Sequence, residues 1–129
     1  MNLTAAACQS GVKNCQGAAI IGGVHTNVVV SEFENKLFIV VSQLERLGTL
    51  VELTRERENF DDGCAPPTFN TKVLLGKDDP LTHVMARNIV SKIPVSKPIL
   101  IAMALKDTKP ETIRSLEELV HMHRTWDAK

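Results

Sequence analysis

The sequence predicts an α+β domain, an antiparallel sheet of about six strands with two α-helices, in a chain that forms dimers. Three observations carry this reading. Apolar runs of strand length, punctuated by glycine or charged turns, fill the first part of the chain. Two later segments show helical periodicity. The strand Leu37 to Val41 is apolar on both of its faces.

Residues 1–16 mix Ala, Gln, Ser, Gly and Asn without period and read as a disordered tail, leaving 17–129 as one domain. Ala18 to Ile21, a Gly22-Gly23 turn or bulge, and His25 to Phe33 are strand material. Glu34-Asn35 turns the chain into Leu37-Phe38-Ile39-Val40-Val41, and Thr49 to Leu53 follows Arg46-Leu47-Gly48. Read as successive hairpins, these strands pair antiparallel. Thr54 to Asn70 holds Arg55-Glu56-Arg57-Glu58, Asp61-Asp62, Gly63 and Pro66-Pro67, which describes a long exposed loop. Connections of that length are uncommon in compact domains and are often functional.

A strand from Asn70 to Leu75 ends at Gly76, and Asp79-Pro80 supplies the N-cap and first position of a helix. The apolar stripe of that helix reads as Leu81, Val84, Met85, Ile89 and Ile93, until Pro94 ends it. Ile99 to Leu105 is another buried strand. Thr108 with Glu111 forms a capping-box pattern, and Ile113, Leu116, Leu119, Val120 and Trp126 form the inner face of the second helix. Six strands about 4.8 Å apart make a sheet some 25 Å wide, and two helices about 10 Å across cover only one face of it. Leu37, Ile39 and Val41 point to one side and Phe38 and Val40 to the other, so the second face calls for a partner.

The 129 residues suit a single domain, and 43% hydrophobic content is enough for a core. Fifteen basic residues balance fifteen acidic ones, which disfavours nucleic-acid and anionic-membrane partners. Cys8, Cys15 and Cys64 make an odd count without a CxxC pair, matching neither a disulfide framework nor a zinc site and suggesting a reducing, cytoplasmic setting. Met1 to Cys8 lacks a basic leader and a long apolar run, so no targeting is expected. No apolar run approaches the roughly 18 residues of a membrane span.

Candidate chemistry is sparse. Gly76-Lys77 between strand and helix suggests a phosphate loop, but the two positions that need Gly and Ser or Thr hold Thr71 and Asp78. Asp78 and Asp79 also place negative charge where an anion would bind. A small nucleotide- or metal-dependent enzyme using the turn from Gly76 to Pro80, with Lys77, Asp78 and Asp79, is the alternative reading. His121 and His123 lie about 200° apart on a helix and cannot share an ion; with Arg124 they suit a helix C-terminus. His25 and His83 have no neighbouring ligand pattern. Asp61-Asp62 and Glu117-Glu118 read as solvated pairs, and Cys64 has no basic activator. No catalytic set, cofactor or metal site is expected. The candidate partner-binding residues are Arg55, Glu56, Arg57 and Glu58 on the loop, and Phe38 and Val40 on the sheet.

Thr71-Lys72-Val73-Leu74-Leu75-Gly76, Asp79-Pro80-Leu81 with His83-Val84, Ala86 and Asn88, and Lys106-Asp107 occur in an order that resembles the proteasome assembly chaperone 3 family. Gly23-Val24, Thr26, Val28-Val29, Phe33, Gln43, Gly48 to Val51, and Trp126 extend the likeness over about residues 18 to 126. The resemblance implies a non-catalytic chaperone that pairs with a proteasome assembly chaperone 4-like subunit and helps proteasome α-type subunits form the outer ring of the core particle. It implies a sheet with two helices, working as a dimer, with a homodimer possible in isolation. The departures lie mainly in the tail and in Arg55 to Asn70, where the ring contact is expected.

Overall fold

The structure is a computed structural model that describes residues 13–44, 48–55, 69–94, 97–106 and 108–126. The first two strands, β1 (Lys13–Ile21) and β2 (Val24–Glu32), form a hairpin. Gly22 and Gly23 take φ of 59° and 81°, and positive φ at both central residues makes a two-residue turn that follows the twist of the strands. Lys13 to Gln16, expected to belong to the tail over 1–16, are strand instead and pair with Glu32 to Val29. The ladder simply continues along the full length of β2. Lys13, Asn14 and Gln16 are exposed on an edge strand, so no apolar period announces them. Residues 1–12 lie outside the described residues.

Strands β3 (Leu37–Ser42), β4 (Thr49–Arg55), β5 (Phe69–Leu75) and β6 (Ile99–Ala104) complete a six-stranded sheet of order β1-β2-β3-β6-β4-β5. The expected α+β class, six strands and two helices are present. The sheet is mixed, however, because β3 and β6 run parallel while every other pairing is antiparallel. β3 and β4 are therefore not the hairpin expected from their adjacency in sequence; β6 inserts between them. Composition explains the exchange. β6 is buried over most of both faces, as a central strand flanked by a parallel neighbour must be, while β4 carries Glu52 and Thr54 and sits further out. Gln43 fixes the junction: its Nε2 donates to Thr26 Oγ1 at 3.1 Å, and its Oε1 accepts from the Lys106 N–H at 3.0 Å.

β5 and β6 both run opposite to β4, so helix α1 (Pro80–Val90) is a crossover between parallel strands. Asp79 caps α1, its Oδ1 accepting from the Leu81 N–H at 3.2 Å, with Pro80 at the first position as expected. The inward face of α1 differs from the expected stripe. Leu81 and Val84 are 48% and 47% exposed, while Thr82, Ala86, Ile89 and Val90 are buried. Thr82 and Ala86 are short enough to let the helix approach the sheet, and the larger Leu81 and Val84 turn outward. Helix α2 (Pro110–Met122) starts one residue later than the Thr108 capping box requires. Pro110 takes the first helical position, Lys109 becomes the N-cap without a side-chain capping bond, and Glu111 falls at the second position. Ile113, Leu116, Leu119, Val120 and Trp126 are buried as expected. His123 Nδ1 bonds the Leu119 carbonyl at 3.1 Å and Arg124 donates to the His121 carbonyl at 3.0 Å, satisfying the helix end. Among the described residues no helix is long and apolar enough to cross a membrane.

Candidate partner-binding surfaces

Both helices share one core with the side of the sheet that carries Leu37, Ile39, Val41, Val51 and Ile101, all fully buried. The other side has no described element over it. Strand register places two cross-strand rows there. Val29, Val40, Ala102 and Leu50 lie side by side, and next to them run Ser31, Phe38, Leu100, Glu52 and Lys72. Phe38, Val40, Leu100 and Leu50 are only half-buried, so the apolar centre of this face still meets water. Opposite charges at Glu52 and Lys72 border it, and Leu75, 53% exposed, continues it toward the β5 edge. Phe38 and Val40 are thus on an open face, with their own molecule leaving them uncovered among the described residues.

Arg55 sits elsewhere. It pairs with buried Phe69 at the end of β4, and its Nη2 donates to the Ile93 carbonyl at 3.2 Å, beyond the end of α1. The guanidinium carbon stands 5.4 Å from the Phe69 ring centroid. These contacts lie on the helix side, so the structure does not bring Arg55 together with Phe38 and Val40. Arg55 serves first as a tie between strand and helix. Glu56, Arg57 and Glu58 lie outside the described residues, as do Asp61, Asp62, Cys8 and Cys64.

The turn from Gly76 to Pro80 has its acids engaged. Asp79 caps α1, and Asp78 Oδ1 meets His83 Nε2 at 2.6 Å. His83 Nδ1 meets Thr71 Oγ1 at 2.5 Å, and Arg87 reaches the same hydroxyl at 3.4 Å. His83 thereby fastens β5, the turn and α1 to one another, a role sequence reasoning missed. Its position five residues after Asp78, within the first turns of a helix, is the signal that was available. Among the described residues no group of three potential ligands gathers for a metal ion. Cys15 is a free, half-buried thiol in β1.

One carboxylate is electrostatically distinct. Burial alone would raise the Glu32 carboxyl, but the Lys97 ammonium, 2.9 Å away, together with Thr125 and the charge of Lys13, outweighs this and holds it below its ordinary value. Lys97 also donates to the Phe33 carbonyl at 2.9 Å, fastening the end of β2 to the segment before β6.

The molecule is a two-layer α+β protein, a six-stranded mixed sheet bare on one side and covered by two helices on the other. A chain from the crystal structure of a chaperone complex for yeast 20S proteasome assembly superposes with a TM-score of 0.72, at 13% identity, over 85% of this chain and 97% of that one. The family model described as proteasome assembly chaperone 3 matches residues 39–122. Proteins named proteasome assembly chaperone 3 from Bos taurus and Homo sapiens are 39% and 35% identical over 114 residues, covering 86% of this chain and 92% of theirs. The protein of that name from Nematostella vectensis is 36% identical over 121 residues, 87% of this chain and 90% of its own. The chain belongs to the proteasome assembly chaperone 3 family.

Proposed function

We propose that this chain is a non-catalytic chaperone that assists assembly of the α-subunit ring of the proteasome core particle, as a dimer with a related chaperone 4-like subunit. One observation carries the dimer: the half-exposed row of Phe38, Val40, Leu100 and Leu50 at the centre of a sheet whose other face packs against both helices. At about 25 cal/mol per Å² of apolar surface, covering several hundred Å² is a strong drive, part of which offsets the entropy of association. In the absence of the related subunit a second copy fills the same place, giving a homodimer. The setting is the cytoplasm, and neither cofactor, nucleic acid nor membrane enters the activity.

Recognition of α-type subunits falls to the charged segment after β4. Because Arg55 holds the fold together, the informative substitution there is Arg57→Glu, which is expected to weaken binding to ring subunits and leave dimerisation intact. The decisive experiment on the sheet face uses Phe38→Glu with Val40→Asp. Light scattering of the purified chain, alone and mixed with its related subunit, should show association lost while the far-UV circular dichroism is kept. Unchanged association would remove the sheet face from the reading.

A further inference from the structure

We draw no further inference here: the strongest candidate, the groove between α1 and α2 lined by Leu81, Val84, Ile113 and Arg114, is an unpartnered helix face, and nothing in the structure shows what covers it.

Discussion

At Gly48 the chain crosses the end of β6 with φ of +76°, and a Cβ there would stand 2.2 Å from the Met103 carbonyl oxygen. Backbone cannot retreat from such a contact without disturbing the β4 to β6 ladder, so Gly48→Ala is expected to cost about 3 kcal/mol or more. Gly23 has a similar φ of +81° but open space around it, so Gly23→Ala should lose only the conformational penalty of about 1 kcal/mol. Urea denaturation of the two variants separates clash from backbone preference. Glu32 makes a different kind of prediction. Its carboxyl is held below the ordinary value near 4.5, so the native state favours its ionised form, and stability from the Lys97 pair is present above that value. It is lost as pH falls below 4.5 toward the lower native value. Glu32→Gln should reduce stability near neutrality by about 1 kcal/mol and flatten this part of the acid dependence, read from melting temperatures between about pH 3 and 7. Neither Glu32 nor Gln43 stands out in the sequence, because their partners Lys97 and Lys106 are more than sixty residues away and only the fold joins them.

Individual elements were largely legible, and their neighbours were not. Leu37 to Val41, Ile99 to Ala104 and the Asp79-Pro80 start of α1 follow directly from apolar runs and cap chemistry. Hydrophobic period says which residues are strand, but it says nothing about which strand lies beside which, so the insertion of β6 could not be read. The outward turn of Leu81 and Val84 was hidden for a related reason: Thr82 and Ala86 also recur at helical spacing, and only the closeness of the sheet selects the smaller pair. Phe38 and Val40 were visible as a second apolar face, whereas Arg55 looked like loop charge because its acceptor, the Ile93 carbonyl, belongs to another element. Arg55 now gives a prediction of its own. Arg55→Ala removes both the hydrogen bond to Ile93 and the stacking on Phe69, and should cost about 1–3 kcal/mol. Arg55→Lys keeps the charge but not the planar contact and should fall between. Chemical denaturation reads both; a neutral Arg55→Ala would mean that these contacts do not hold the fold.

The whole sheet is two pieces joined by one strand. β1, β2 and β3 form a consecutive antiparallel unit over which α2 packs, while β4 and β5 form another under α1. β6 pairs with β3 on one side and β4 on the other, and it is the last strand among the described residues. Closure of the sheet therefore waits for a segment far along the chain that must slot between β3 and β4, two strands joined only by residues 43–48. Ile101 is at the join, paired with Ile39 and with Val51 and fully buried. Ile101→Ala should cost about 2–5 kcal/mol. The more telling outcome is cooperativity. If β6 binds the halves into one unit, both lose their footing together, and unfolding stays all-or-none even in the weakened variant. The single tryptophan, Trp126, lies beyond α2 and reports on the β1 to β3 half, whereas far-UV circular dichroism averages over both. Their urea transitions should coincide in the wild type and in Ile101→Ala. An early loss of ellipticity with Trp126 fluorescence intact would mean that β4, β5 and α1 come away alone, and that the two halves are held by the contact between the helices more than by the shared strand.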